Sequence, residues 1–128
     1  MEWMSAAAVF VGGGLGAVLR YYLERFLAPR RTSDALISAV FVINVLGSLA
    51  LGIVGAAVNV LGGQDAVAYA GLSLGLLGGF TTFSTAMVEA VQALLAGRYA
   101  RFVMLWLVQP TVSLIALIAG YTAAAAVL

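Results

Sequence analysis

Apolar residues run along this chain in four long blocks, and few polar positions interrupt them. Crossing the hydrocarbon of a bilayer takes about 20 mostly apolar residues. Four stretches meet that length, at roughly residues 5–26, 36–61, 67–95 and 102–127. The breaks between them are short: APRRTSD at Ala28–Asp34, GGQD at Gly62–Asp65, and the turn Gly97–Arg101. None is long enough to form a folded domain outside the membrane. The pattern predicts an all-α integral membrane protein, with four transmembrane helices forming one domain over residues 1–128.

Within the blocks, small residues recur four apart: Gly12 and Gly16, Ser48 and Gly52, Gly71 and Gly75, Gly75 and Gly79. Such spacing puts small side chains on one helix face and lets membrane helices approach closely, so bundle packing accounts for most of them. Gly78-Gly79 differs because hydroxyls follow at once, in GGFTTFSTAMVEA (Gly78–Ala90). The third helix is therefore expected to break at Gly78–Thr81. A break at depth is tolerated only where the freed backbone faces protein, water or an ion.

Composition settles the solvent. The chain is 64% hydrophobic and 9% charged, against about 25% charged for a soluble domain, and its mean hydropathy is +1.12. It has no cysteine and no histidine, which removes disulfides, thiolate nucleophiles, the usual zinc sites and the Ser-His-Asp triad. No enzymatic activity is suggested. A net charge of +1 offers no basic face for nucleic acid. The first block lacks the positive start of a signal peptide, since Glu2 is the only charge before Arg20, and reads as a retained span.

Charge then orients the chain. Arg25, Arg30, Arg31, Arg98 and Arg101 fall in or beside the first and third loops, whereas the opposite side carries Glu2 and Asp65 and no cation. The positive-inside rule places both arginine-bearing loops in the cytoplasm and both termini outside.

The polar inventory at depth is short: Arg20, Asn44, Ser48, Ser73, the cluster Thr81–Thr85, Glu89, Gln109, Thr111 and Ser113. Ionisable groups inside a membrane are costly and point to function by default. Arg20 either snorkels to the interface or serves the interior. Asn44 can donate to an anion or bridge to another helix. Glu89 lies seven residues after Thr82 and four after Thr85, which stacks the three on one helix face as a pore stripe or a satisfied polar seam. Phe83 stands among hydroxyls, and the edge of its ring carries partial positive charge that can favour an anion.

GGFTTFST at Gly78–Thr85 resembles the motif of the small bacterial fluoride channels, the Fluc or CrcB family. GGGLGAVLRY at Gly12–Tyr21, VINVLGSLALG at Val42–Gly52 and GRYARF at Gly97–Phe102 resemble that family's other motifs in order and spacing, so the likeness covers nearly the whole chain. The resemblance implies an antiparallel dimer in a bacterial cell membrane that lets fluoride leave the cell passively. By it, Asn44 hydrogen-bonds the anion, Phe83 turns its ring edge into the pore, and Thr82, Ser84, Thr85 and Ser113 supply hydroxyls. Arg20 and Glu89 are support residues. The carbonyls of Gly78 and Thr81 from both subunits hold a central sodium ion. Fluoride is strongly hydrated, so a narrow pore must replace its water with donors at every step.

The chain also departs from the pattern. The family's second phenylalanine is replaced by Ala86, followed by Met87, and Gln109-Pro110 stands where small polar residues are usual. A mid-helix proline removes a backbone donor and kinks the helix. A homodimer would lack one ring in every pore, and the strong arginine bias opposes insertion in both orientations. Together these favour a heterodimer with an oppositely oriented paralogue over a homodimer. Two alternatives stand beside this reading. One is a non-conducting structural subunit of such a channel. The other is a small proton-coupled multidrug exporter, which would need a carboxylate inside the first helix, where none lies between Glu2 and Glu24.

Overall fold

The computed structural model describes residues 2–28, 35–61 and 65–128. Helix α1 covers Glu2–Leu27 and α2 Ala39–Leu61. The third span has two pieces, α3 at residues 66–80 and α4 at Phe83–Leu95, and α5 covers Tyr99–Val127. All four spans are long and apolar enough to cross a membrane.

Local chemistry sets where the helices begin and end. The Ser38 hydroxyl accepts the Phe41 N–H at 3.1 Å, so α2 starts at Ala39 rather than near Leu36. Asp65 accepts the N–H groups of Val67 and Ala68, both at 3.1 Å, and opens α3 in the same way. α4 closes through Gly97, whose φ of 74° is the left-handed value that favours glycine. The Gly97 N–H donates to Leu94 and the Arg98 N–H to Ala93 at 2.8 Å, the paired bonds of a Schellman turn. This tight closure lets α5 start at Tyr99, three residues earlier than the apolar pattern places it.

α1 packs chiefly on α3, and α2 on α5. Without a hydrophobic drive between helices in lipid, close backbone approach has to supply the contact. Gly12 and Gly16 are buried against α3: a Cβ on Gly12 would meet the carbonyl of Gly71, and one on Gly16 the carbonyl of Leu76. Gly52 and Gly120 do the same for α2 and α5. The small-residue pattern is thus packing. Ile43, Leu105 and Val40 are the largest fully buried side chains, whereas Phe10, Leu74 and Leu95 stay exposed, as a lipid-facing surface requires.

The Arg101 guanidinium donates to the Ala35 carbonyl, which joins the ends of the first and third loops at one end of the bundle. At the other end Asn59 donates to the Tyr121 hydroxyl at 3.1 Å. Arg25, Arg98 and Arg101 therefore share one end, and Glu2 and Asp65 the other. Arg30 and Arg31 lie outside the described residues.

Two stretches, Ala70–Leu77 and Met104–Val108, are wound as wide π-helical turns. The second leads into Pro110. There the Gln109 N–H reaches back five residues to Met104, and the Thr111 hydroxyl donates to the Leu107 carbonyl at 2.7 Å. The proline expected to kink the last helix is accommodated by widening it, and α5 continues.

Candidate ion pathway at the break in the third span

The third span is interrupted at Thr81 and Thr82, the two extended residues (φ −83°, ψ 155° and φ −151°, ψ 122°). Gly78 remains helical at φ −64°, ψ −38°, so the interruption falls at the far end of GGFTT. Glycines make the last turn of α3 weak, and β-branched threonines accept extended backbone readily. Asn44 meets the interruption from another helix. Its Nδ2 donates to the Thr82 carbonyl at 2.7 Å, and its Oδ1 accepts the Thr82 N–H at 2.7 Å. One amide thus satisfies both backbone groups of a residue that has left the helix. The N–H and C=O of Thr82 also fix which amide atom is which. Each bond adds about 1 kcal/mol net.

Thr82 in turn caps α4: its Oγ1 accepts the Thr85 N–H at 3.3 Å and donates to Thr85 Oγ1 at 3.2 Å, with Ser84 Oγ 3.3 Å away. The hydroxyl cluster foreseen at Thr82, Ser84 and Thr85 is therefore knotted around the start of α4. At the break the carbonyl of Gly78 loses the Thr82 N–H to Asn44, and that of Thr81 loses the Thr85 N–H to Thr82. Both are hard oxygen donors of the kind a small cation takes.

A cavity of about 240 Å³ opens beside this break, lined by Asn44, Ser48, Thr81, Thr82, Phe83, Gln109, Pro110 and Ser113. It brings together five of the sequence-derived site residues, Asn44, Thr81, Thr82, Phe83 and Ser113. Ser84, Thr85, Arg20 and Glu89 do not line it. No lining residue is charged, so the walls present dipoles, and the start of α4 adds the positive end of its own. Phe83 lines the cavity and is 66% exposed, so it also reaches the protein surface.

Hydrogen bonding sorts the polar inventory. Ser73, Thr81 and Thr111 each donate to the carbonyl four residues back, at 2.6, 3.0 and 2.7 Å, and are satisfied by their own helices. Gln109 and Ser113, one turn apart on α5 and 4% and 8% exposed, are not: Gln109 Oε1 and Ser113 Oγ are buried without a partner. An unpaired buried polar atom is costly, and these two face a cavity. Replacing Ser113 by alanine should accordingly leave stability unchanged or raise it slightly, by no more than about 1 kcal/mol, as read from the melting temperature. A clear loss of thermal stability would mean the hydroxyl is a structural bond.

Ser48 and Gln109 were not foreseen as site residues. Ser48 had a signal, lying one turn beyond Asn44 on the same face. Gln109 stood out in the sequence only as a departure from a pattern. Glu89 does not form a stripe with Thr82: its carboxylate lies 3.8 Å from Arg101, in a separate cavity lined also by Gln92 and Arg98. Arg20 is half-buried, with its Nε buried and unpaired.

Residues 7–121 match the family described as CrcB-like protein, Camphor Resistance (CrcB). The chain belongs to that family. Among its CrcB relatives, the fluoride-specific ion channel FluC of Methylobacterium nodulans is 38% identical over 97 residues, 76% of this chain and 77% of the relative. FluC 2 of Cutibacterium acnes is 43% identical over 91 residues, 70% and 72% of the two chains. FluC 1 of Corynebacterium jeikeium is 42% identical over 92 residues, 64% and 65%. Ala86 is 0% exposed. It shares a buried face with Ala90 and Ala93, on the helix that packs against the first turns of α5.

Proposed function

We propose that this chain is a subunit of a passive, fluoride-selective channel that lets fluoride leave the cytoplasm, and that it is not an enzyme. The observation that carries the reading is the uncharged cavity of amide and hydroxyl groups beside the helix break, in a chain of the CrcB family. Neutral donors can replace the water of a small anion without trapping it as a fixed positive charge would. Ser113 Oγ, buried and unpaired, is a hydroxyl with a donor to spare.

The chain works as half of an antiparallel dimer. Its break lies at a surface, with Gly78, Phe83 and Ser84 exposed, and broken backbone facing lipid is not tolerated. A partner subunit covers it, and the carbonyls of Gly78 and Thr81 from both halves hold a sodium ion as a structural cofactor. The partner is a paralogue rather than a second copy. The arginines gathered at one end favour a single orientation, in a bacterial cell membrane with both termini outside. Ala86 offers no ring, so the partner supplies it, and one of the two pores conducts. The numbered names of the relatives FluC 1 and FluC 2 fit organisms that carry more than one such chain.

The test is fluoride efflux from liposomes, with chloride in parallel, for the chain alone and with its paralogue. The pair is expected to pass fluoride and not chloride, and Phe83→Ile to reduce that flux by roughly tenfold or more, the loss of one favourable ring-edge contact. No fluoride flux from either preparation sinks the proposal. Flux from the chain alone removes the paralogue from it.

A further inference from the structure

We infer that Asn44 is a positioning residue that keeps the third span broken, and so presents the Gly78 and Thr81 carbonyls to a monovalent cation. The inference rests on the sodium reading given above and deepens it. In an unbroken helix the Gly78 carbonyl would receive the Thr82 N–H and the Thr81 carbonyl the Thr85 N–H. Here the first donor goes to Asn44 Oδ1 at 2.7 Å, and the second to Thr82 Oγ1 at 3.3 Å. The Thr82 side chain can take the second bond only because Thr82 is extended, which places it at the cap of α4. Asn44 secures that conformation from both sides by also donating to the Thr82 carbonyl at 2.7 Å. The two freed carbonyls therefore trace to one amide on another helix.

Asn44 is 5% exposed, and two of its bonding positions are taken by Thr82. One Nδ2 hydrogen remains for the cavity. A residue that only donated to an anion would not need its oxygen held by the break, nor would it respond to the cation. This separates the two roles experimentally. A ligand that binds only the folded state raises its stability in proportion to the logarithm of ligand concentration over Kd, so sodium binding can be read from melting temperature without any ion flux.

The experiment uses the purified assembly that is tested for fluoride flux. Its melting temperature is followed as N-methylglucamine is replaced by sodium at constant ionic strength, for wild type, Asn44→Ala, Asn44→Asp and Ser113→Ala. Wild type and Ser113→Ala are expected to be stabilised by sodium at the same half-saturating concentration. In Asn44→Ala the sodium increment should vanish or need at least tenfold more sodium. Asn44→Asp keeps an acceptor for the Thr82 N–H but sets its second oxygen against the Thr82 carbonyl, so it should show the same loss. It decides the matter if the alanine variant is not recovered folded. A wild-type sodium response in a folded Asn44 variant overturns the inference. So does a wild type that passes fluoride yet gains nothing from sodium, which leaves the channel reading standing. A wild type that responds to sodium but passes no fluoride does the reverse.

Discussion

Gly16→Val is expected to prevent the chain from reaching its folded form, at a cost above about 3 kcal/mol. A Cβ on Gly16 would fall on the Leu76 carbonyl and lie 2.8 Å from the Phe80 nitrogen. Those are backbone atoms in the last turns of α3, and no flexible side chain is there to move aside. The neighbouring contacts allow no slide along the helix. Gly12 meets the Gly71 carbonyl and lies 2.9 Å from the Leu76 nitrogen, and a Cβ on Gly79 would meet the Gly13 carbonyl. In water, burial of apolar surface compensates for a looser fit. In lipid it does not, because the tails are as apolar as the side chains. Gly14→Val is the matched control: nothing lies within 4 Å of its added Cβ, so only the small propensity term should change. The measurement is the yield of monodisperse protein and its melting temperature. A folded Gly16→Val protein near the wild-type melting temperature would show that α1 and α3 do not rely on this approach.

Gln109→Glu should reduce fluoride flux at neutral pH by at least a hundredfold. The substitution keeps size and shape and adds one negative charge to a cavity whose lining is otherwise uncharged. At 4 Å and an effective dielectric constant near 20, two unit charges repel by about 4 kcal/mol, and each 1.4 kcal/mol on a barrier is a factor of ten. Acidifying the medium should protonate the new carboxyl and restore part of the flux. Gln109→Leu should act more mildly, by roughly tenfold, since it removes donors without adding repulsion. The readout is fluoride efflux from liposomes across a pH series. Undiminished flux at neutral pH would exclude this cavity from the path.

The spans were legible because hydropathy over twenty residues is a coarse quantity that lipid reads directly. The break was legible from GGFTT, although the extended residues proved to be Thr81 and Thr82, since threonine's preference for extended backbone outweighs the flexibility of the glycines before it. Asn44 allowed two readings in the sequence, and only the geometry shows one amide taking both backbone groups of Thr82. The approach of Arg101 to Glu89 went unread for a related reason. Helical spacing counts residues along one helix, but Thr82 is not in the helix, and Arg101 approaches Glu89 across a turn. Gln109 was noticed as an oddity and not as a site residue, because a departure from a motif looks like loss until its surroundings are known. The wide turns left no trace in the pattern, since apolar residues on every side conceal the helical period.

Those wide turns bear on how chains of this kind can vary in length. A π-helical turn holds an additional residue within an otherwise α-helical rod. Removing one residue from Ala70–Leu77 could therefore restore ordinary winding and leave the span continuous. Ordinary winding turns the chain further per residue than wide winding, so one residue fewer covers nearly the same rotation, and Thr82 would keep its place against Asn44. A single-residue gap there, in an alignment of relatives, would mark a chain that has lost its wide turn while both halves of the span look in the same directions.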